Sequence, residues 1–385
     1  ISLSNLGDDQ MRHAKSGQWW ENEGQRALAN NSVAYKFKPD MDTFMREWFA
    51  LYESKSGERG IFNRQSAINQ ASKNGRRDVS HEFGCNPCSE IILRPYQFCN
   101  LTEVVVRETD TEETLAEKVE LATILGTFQS TLTDFKYLRK IWKTNTEEER
   151  LLGVSLTGIM DSALLSGNSP RIGQNIEGLL SRLRDIAINT NKKLAKSLGI
   201  PQSTAVTTVK PSGTVSQLVD SASGIHARHN PYYIRTVRGD NKDPLTEFMI
   251  AQGIPSEPDV MKPDSTTVFS FPMEAPSSAL CRQDMSAIDQ LNIWLKYQRY
   301  WCEHKPSVTI SVKEHEWLDV GSWVYNHFDE VSGISFLPFS EHTYKQAPYQ
   351  DCTKEEYETM LSQMPKGIDW TALSEYEKED TTTGS

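Results

Sequence analysis

The chain has 385 residues, of which 37% are hydrophobic and 24% are charged, a composition typical of globular proteins. Its formal net charge of −11 at pH 7 disfavours a nonspecific nucleic-acid surface. No apolar stretch approaches the roughly 18 residues that a membrane span requires. Six cysteines in a chain of this length do not form a disulfide framework and favour a reducing cytosol, so we expect a cytoplasmic protein that binds neither nucleic acid nor membrane.

Helical and strand-like segments alternate along the chain. Apolar residues that recur every three or four positions predict helices over 40–56, 112–138, 175–198 and 286–304, and a shorter helix over 319–328. Short apolar runs predict strands over 32–35, 101–106, 205–209, 306–312 and 334–338. This alternation predicts an α/β fold. The sequence at Ile1 already has the character of a folded domain, so we expect a further N-terminal portion outside this chain.

Three of the six cysteines, Cys85, Cys88 and Cys99, lie within 15 residues. Asn86, Cys88 and Glu90 occupy alternate positions, so on extended backbone their side chains point the same way. An amide and a carboxylate on either side of one sulfur suit chemistry on a polyol. The carboxylate would serve as the base and the amide would position the hydroxyls.

Cys85-x-x-Cys88 also has two other interpretations. A zinc site would need a second pair of ligands at suitable spacing, and the sequence has none. A thioredoxin-like motif would open a helix, whereas Pro87 and the apolar run after Glu90 favour a loop followed by a strand. A binding module without enzymatic activity remains a further alternative.

The segment from Lys210 to Ser216 follows the predicted strand 205–209 and opens a helix. Free backbone N–H groups and hydroxyls at such a place can bind phosphate, although the segment is not a Walker loop. Phosphate binding and a plain turn are both compatible with this pattern. His226 and His229, three residues apart, could be metal ligands, but without a neighbouring carboxylate or cysteine a structural role is favoured and no metal site is predicted.

Asn86-Pro87-Cys88-Ser89-Glu90, with Cys99 downstream, resembles the finger loop of the ribonucleotide reductase large subunit. The form of the motif is most similar to the adenosylcobalamin-dependent ribonucleoside-triphosphate reductases. The resemblance implies that Cys88 carries a transient thiyl radical, which takes the 3′ hydrogen from the ribose. It also implies that Glu90 takes the 3′-hydroxyl proton and that Asn86 holds the sugar hydroxyls. Cys99 would be one of two reducing cysteines, the second lying upstream of this chain.

The same resemblance assigns two further groups. The loop late in the chain would hold the substrate phosphates through Pro211, Ser212, Gly213, Thr214, Val215 and Ser216. Gly213 departs from family members that have Glu there, so di- and triphosphate substrates both remain open. A loop containing Arg26, Ala27 and Asn30 resembles, more loosely, the family's specificity loop. An ordinary loop that enters a strand is the alternative reading of that segment.

The fold that the resemblance implies is a ten-stranded α/β barrel with the finger loop at its centre. Residues 1–374 would form the middle and C-terminal part of this catalytic domain, and 375–385 a flexible tail. Implied partners are a ribonucleoside tri- or diphosphate substrate, dNTP or ATP effectors, and thioredoxin or a similar dithiol. The protein would be a monomer or a homodimer.

Three radical sources occur in the family. The glycyl-radical class would need a C-terminal glycyl loop and usually lacks the Glu found here as Glu90. The diiron class would need a C-terminal tyrosine pair, which Tyr232-Tyr233 does not match in position. The resemblance therefore favours adenosylcobalamin, although the Asp-x-His-x-x-Gly cobalamin motif is absent. The alternatives are a diiron-dependent large subunit and a reductase fragment that is inactive without an N-terminal portion.

Overall fold

The structure is a computed structural model that describes residues 2–17, 19, 23–167, 175–339 and 346–377. The chain divides into two compact units: Ile1–Ala227 with Ser278–Phe339, and Arg228–Ser277 with Ser340–Ser385. Helices alternate with mixed sheets, which confirms the predicted α/β class. The predicted division into a catalytic domain over 1–374 and a tail over 375–385 stays a prediction.

Strands of the first unit form one five-stranded mixed sheet and two strand pairs. They are β1 (Ser2–Ser4), β2 (Asn31–Tyr35), β3 (Gly60–Asn63), β4 (Gly84–Cys85), β5 (Ile92–Leu93), β6 (Asn100–Val105), β7 (Leu152–Thr157), β11 (Thr309–Val312) and β12 (Gly333–Pro338). The larger sheet has the order β1-β2-β3-β12-β11, with only the β3–β12 pair antiparallel. β4 and β5 pair antiparallel, and β6 pairs parallel with β7.

Helices of the first unit, in the part of the chain that the structure describes, are α1 (Asp9–Arg12), α2 (Met41–Ser54), α3 (Arg64–Ser72), α4 (Glu112–Gln129), α5 (Lys140–Glu149), α6 (Ile176–Leu198), α7 (Val215–Leu218), α9 (Ala287–Tyr300) and α10 (Trp317–Asn326). Five of these, α2, α4, α6, α9 and α10, correspond to the segments predicted from periodicity, and the four others were not predicted in that way. Side chains at the N-caps accept backbone N–H bonds at Asp40, Thr111, Asn175 and Ser286, which satisfies donors that the first turn leaves free.

The helix predicted over 112–138 ends nine residues early, at Gln129. The Ser130 hydroxyl donates to the Thr127 carbonyl at 2.6 Å, so a side chain takes a carbonyl in the last turn. Leu132, which continued the apolar periodicity, is 72% exposed. The apolar periodicity therefore continues beyond the end of the helix, where it belongs to an exposed apolar surface.

The segment predicted as a strand over 205–209 runs beside β7 through isolated bridges. Thr207 bridges Val154, and Val209 bridges Pro306. The Val154 N–H donates to the Val206 carbonyl at 2.8 Å. Backbone pairing thus continues from β6 through β7 to this segment and on to Pro306.

Two buried tryptophans, Trp294 and Trp301, anchor the core, and the indole N–H of each has an acceptor. Trp294 donates to the Pro306 carbonyl at 3.0 Å, and Trp301 donates to the Thr208 carbonyl at 2.7 Å. Both side chains are fully buried. Helix α9 is therefore tied to the backbone segments that lie beneath the candidate site.

The second unit contains an antiparallel sheet that the periodicity did not reveal. Its strands are β8 (Tyr232–Asp240), β9 (Ser256–Pro258), β10 (Thr266–Glu274) and β13 (Tyr349–Asp351), in the order β13-β8-β10-β9. Its helices are α8 (Pro244–Ala251), α11 (Lys354–Gln363) and α12 (Leu373–Tyr376). The Tyr376 ring packs on Phe248 with centroids 5.6 Å apart, while most of the predicted tail, 378–385, lies outside the described residues.

Among the described residues, no helix is both long enough and apolar enough to cross a membrane.

Substitutions at Gly158, which follows β7, and at Gly199, which follows α6, test how closely the end of β7 is packed. Both have positive φ, +80° and +69°. A Cβ at Gly158 would lie 2.6 Å from the Val106 carbonyl oxygen, whereas a Cβ at Gly199 would meet nothing within 4 Å. We expect Gly158→Ala to lower the free energy of unfolding by roughly 3 kcal/mol and Gly199→Ala by about 1 kcal/mol, because only the first adds overlap to strain. Urea denaturation measures both, and equal losses would contradict the close packing.

Candidate active site

The finger-loop motif forms a tight turn between β4 and β5. The Ser89 N–H donates to the Asn86 carbonyl at 2.9 Å, and the Ile91 N–H donates to Asn86 Oδ1 at 3.0 Å. Ser89 has a φ of +67°. The predicted extended backbone, with Asn86, Cys88 and Glu90 side by side, is therefore wrong, because Asn86 closes the chain into a turn.

The turn gives the thiol and the carboxylate opposite environments. Cys88 lies exposed near its tip, and the Ser307 hydroxyl donates to the Cys88 carbonyl at 2.8 Å. Glu90 is only 2% exposed. Its carbonyl accepts bonds from the Thr208 hydroxyl at 3.1 Å and from the Lys305 N–H at 3.2 Å. Cys88 is thus open to a reactant, while Glu90 is fixed inside.

The Glu90 carboxylate acts on both predicted redox cysteines. Partial loss of hydration around the sulfur raises the pKa of Cys88, the charge of Glu90 raises it further, and the charge of Lys210 lowers it. Burial likewise raises the pKa of Cys99, against a lowering effect of Arg77, and Glu90 adds to the rise. Both thiols therefore stay protonated near neutral pH, the form that can give a hydrogen atom, and the charge of Glu90 favours this form in each.

Glu90 and Asn86 keep hydrogen-bonding capacity for a substrate. Glu90 Oε2 is buried and has no hydrogen-bond partner among the described residues, a costly state for a polar atom. Asn86 uses its Oδ1 within the turn, which leaves the NH₂ group as a donor. An acceptor and a donor on either side of Cys88 suit the hydroxyl groups of a sugar.

The predicted phosphate loop lies close to this turn. Pro211 lines a cavity of about 280 Å³ together with Pro87, Cys88, Ser89 and Asn30. The structure therefore brings together the finger turn, the start of the phosphate loop and one residue of the predicted specificity loop.

Within the phosphate loop, Ser212 has a φ of +55°, and its buried hydroxyl has no hydrogen-bond partner among the described residues. The backbone N–H groups of Gly213, Thr214 and Val215 likewise have no acceptor there. The Ser216 hydroxyl, by contrast, lies 2.7 Å from the Ser223 hydroxyl. Ser216 therefore supports the loop, and 212–215 hold the free donors.

The predicted specificity loop is only partly at this cavity. Arg26 lies in a 3₁₀ turn, Gly24–Leu28, and donates to the Ala14 carbonyl at 2.6 Å. It does not line the cavity that contains Asn30. Ala27 is in the same turn as Arg26. The role of Arg26, Ala27 and Asn30 as a specificity loop stays a prediction.

Glu103 is a site residue that sequence reasoning missed. Its side chain is 8% exposed and lies on β6, with Oε2 3.9 Å from Lys210 Nζ. Burial raises its pKa, while the charge of Lys210 and the nearby hydroxyls of Ser212 and Ser155 lower it. A lone glutamate in the apolar run from Leu101 to Val106 was the available signal.

His304 and Lys305 form a second group that the sequence did not reveal. The Ile92 N–H donates to His304 Nδ1 at 3.3 Å, and His304 Nε2 donates to the Leu152 carbonyl at 3.0 Å. Lys305 Nζ donates to the Ser89 hydroxyl at 2.7 Å. Both residues support the finger turn from below, although more than 200 residues separate them from it.

His226 has the structural role that was favoured for it. Its Nε2 accepts from the Thr309 N–H at 3.0 Å, and burial lowers its pKa. His229 lies 2.7 Å from the Asp351 carboxylate. Within the described ranges, no group of three or more His, Cys, Asp or Glu side chains is placed to hold a metal ion.

Cys85, Cys88, Cys99, Cys302 and Cys352 are free thiols. Cys281 and Cys302 are buried, in agreement with the packing role expected for them. Cys352 is partly exposed, so its predicted packing role remains a prediction.

Comparison with known proteins gives one consistent family. The chain is 30% identical over 302 residues to an adenosylcobalamin-dependent ribonucleoside-triphosphate reductase of Euglena gracilis, covering 77% of this chain and 40% of that protein. It is 27% identical over 377 residues to the Lactobacillus leichmannii enzyme of the same name, covering 89% and 49%. No family model matches the chain.

Solved structures show the same fold. The crystal structure of a B-12 dependent (class II) ribonucleotide reductase matches with a TM-score of 0.77 at 24% identity, covering 97% of this chain and 55% of the other. The α subunit of the Actinobacillus ureae class Id reductase matches with a TM-score of 0.57 at 15% identity, covering 87% and 70%.

The fold and the site thus define an α/β protein of the ribonucleotide reductase large-subunit type. The recognition from the finger-loop motif is confirmed: the chain belongs to the ribonucleotide reductase family, with relatives in its adenosylcobalamin-dependent branch. It spans about half the length of the curated relatives that it matches.

The support of the turn by His304 predicts an acid-sensitive fold. Burial lowers the pKa of His304 to about 3, aided by the charge of Arg77 and opposed by the hydrogen bond to the Leu152 carbonyl. The unfolded side chain has a pKa of about 6.5. The stability contribution of neutral His304 is therefore complete above pH 6.5 and is lost as the pH falls towards 3.

We expect the free energy of unfolding to fall by roughly 2 kcal/mol between pH 7 and pH 5 through this residue alone. His304→Gln should remove that part of the pH dependence, whereas His315→Gln, on the exposed surface, should keep it. Urea titrations at several pH values measure the slope. An unchanged slope in His304→Gln would show that His304 is not the group responsible.

Proposed function

We propose that the protein acts in ribonucleotide reduction, converting ribonucleoside tri- or diphosphates to 2′-deoxyribonucleotides for DNA synthesis by a thiyl-radical mechanism. The observation that carries the proposal is the buried Glu90 carboxylate, which lies two positions after the exposed Cys88 and keeps one oxygen without a partner among the described residues. The names of the chain's relatives agree with this chemistry.

The reaction proceeds through three side chains of this chain and one further cysteine. The Cys88 thiyl radical takes the hydrogen atom from C3′ and later returns it. Glu90 takes the proton of the 3′-hydroxyl, and the 2′-hydroxyl leaves as water. Cys99 and a second cysteine outside the described residues supply two electrons and two protons and end as a disulfide. The balance is one C2′–OH replaced by C2′–H, one water released and two thiols oxidised.

Substrate placement uses the groups that have no protein partner. The Asn86 NH₂ group donates to the ribose hydroxyls. The Ser212 hydroxyl and the backbone N–H groups of Gly213, Thr214 and Val215 donate to phosphate oxygens. Lys210 adds a positive charge beside the loop. The Glu103 carboxylate, 3.9 Å from the Lys210 ammonium, holds that ammonium in place.

Adenosylcobalamin fits the exposed end of the turn. Cys88 and Pro87 are exposed at the tip of the turn, so these two residues would lie against the reactive end of the cofactor. When bound, the cofactor supplies the one-electron oxidant through homolysis of its cobalt–carbon bond. The chain's own part is to keep the Cys88 thiol accessible on one side and the substrate enclosed on the other.

The proposal also includes a ten-stranded α/β barrel as the complete fold of the catalytic domain. Among the described residues, β6 pairs only with β7. Beside its free edge lies a groove of about 950 Å³, bordered by exposed Leu121, Leu125 and Phe128 of α4. A ten-stranded α/β barrel would cover this groove with strands and helices from outside the described residues. Residues 1–374 would then form the catalytic part, with 375–385 as a flexible tail.

The remaining partners are those that the family resemblance implies. A dithiol protein such as thioredoxin would reduce the disulfide, and dNTP or ATP effectors would act through the loop of Arg26, Ala27 and Asn30. The protein would work in the cytoplasm as a monomer or homodimer.

Cys88→Ser should abolish deoxynucleotide formation, because a hydroxyl cannot form the radical, while the urea midpoint stays close to that of the wild type. Cys352→Ser, a partly exposed cysteine of the second unit, is the matched control and should keep full activity. The assay uses the source protein with a ribonucleoside triphosphate, a dithiol and adenosylcobalamin.

Activity in Cys88→Ser would overturn the role of Cys88. Wild-type activity that needs a diiron partner instead of the cofactor would keep the reductase and reject adenosylcobalamin. No activity under either condition would reject the proposed function for this chain.

Ser212→Gly should raise KM about tenfold and leave kcat within a few-fold. Glycine tolerates the φ of +55°, so the change removes only the hydroxyl, and a hydrogen bond to a charged group is worth about 1.5–3 kcal/mol. Ser197→Ala, on the exposed surface of α6, is the control. An unchanged KM for ribonucleoside triphosphate would remove Ser212 from the phosphate site.

A further inference from the structure

Lys305 is a buried ammonium directly beneath the finger turn. It has no exposed surface. Its Nζ donates to the Ser89 hydroxyl at 2.7 Å and to the Ser332 carbonyl at 3.3 Å, and it lies 4.6 Å from the centroid of the Phe62 ring. A buried charge with only neutral hydrogen-bond acceptors is costly, and a hydrophobic side chain of the same length would fill the space.

The surrounding backbone is built around this side chain. A Cβ on Gly333 would lie 2.5 Å from the Ser89 hydroxyl oxygen and would overlap Lys305 Nζ. Only glycine at position 333 therefore leaves room for the contact. The main chain of Lys305 holds the next residue of the turn, because its N–H donates to the Glu90 carbonyl at 3.2 Å.

Ser89 is the residue that needs such support. It lies between Cys88 and Glu90, with a φ of +67°, a left-handed conformation that costs an L-residue about 1–2 kcal/mol. A hydrogen bond from a fixed ammonium to its side chain offsets that strain. Without the bond, rotation about Ser89 would move the Cys88 thiol relative to the Glu90 carboxylate.

We propose that Lys305 is a positioning residue of the finger loop, which holds Ser89 in its left-handed conformation and so fixes Cys88 against Glu90. Its effect on turnover rests on the proposed function. Its effect on the order of the turn does not, and the two are measured separately below.

The charges around Lys305 decide how its removal affects stability. Burial lowers its pKa to about 8, whereas Cys85 of β4 and Glu90 of the turn raise it. The adjacent His304, with a pKa of about 3, is neutral over the working range. Phe62 and Ser332 contribute no charge. An unfolded lysine has a pKa of about 10.4.

Between pH 8 and about 10.4 the unfolded chain binds more protons than the folded chain, so stability rises with pH through that window. Below pH 8 the folded chain carries the full cost of the buried ammonium. Lys305→Met, which keeps the volume and removes the charge, should therefore have an equal or higher urea midpoint at pH 7.

The test compares Lys305→Met with Lys73→Met, a change on the exposed surface of the same unit. Hydrogen exchange of the Ser89 and Ile91 amides should become at least about tenfold faster in Lys305→Met, while the core strands keep their protection. In the source protein, kcat should fall about 10–100-fold with little change in KM. Lys73→Met should match the wild type in all three measurements.

Ser89→Gly gives an independent check, because glycine adopts positive φ without a side-chain bond. In that background, Lys305→Met should lower kcat less than about threefold, since the two residues act through one contact. An equal loss in both backgrounds would overturn the proposal.

Unchanged exchange at Ser89 and Ile91 in Lys305→Met, or a lower midpoint with faster exchange throughout the unit, would also overturn it. If the wild-type protein reduces no nucleotide, the proposed function fails, and the exchange measurement alone decides the role of Lys305.

Discussion

The candidate site depends on one tight turn, which Asn86 closes through its main chain and its side chain. The Ser89 and Ile91 N–H groups both donate to Asn86, so the backbone reverses within four residues. Reversal leaves the Cys88 thiol exposed and buries the Glu90 carboxylate. A thiol open to an oxidant and a carboxylate shielded from water are thereby obtained from residues only two positions apart, whose side chains an extended strand would direct to the same side.

Buried polar groups hold this turn in place. His304 and Lys305 contact it from the segment after α9, and Thr208 from the segment beside β7. Lys305, which carries a charge, loses its water on folding and recovers only part of that free energy through hydrogen bonds to neutral acceptors. The fold is therefore less stable here than an apolar packing would make it, in exchange for a defined site geometry.

The motif residues could be predicted from the sequence because their types carry the chemistry. Cys88, Glu90 and Pro211 do lie around one region, near the segment that contains Asn30. The alternation of polar residues over positions 86–90 could not distinguish a strand from a turn. Pro87 and the left-handed Ser89 determine the backbone conformation there. Lys305 could not be found at all, because it meets Ser89 across a separation of 216 residues. Glu103 had a visible signal, a charge within an apolar run, which only the packed neighbours explain.

The central claim is that Cys88 removes a hydrogen atom from C3′ of a ribonucleotide while Glu90 accepts the neighbouring proton. The most direct measurement is turnover of the source protein on a ribonucleoside triphosphate deuterated at C3′, beside the protium substrate. We expect slower deoxynucleotide formation from the deuterated substrate, and none from either substrate in Cys88→Ser. Equal rates with the two substrates, together with turnover that survives the loss of Cys88, would contradict the claim.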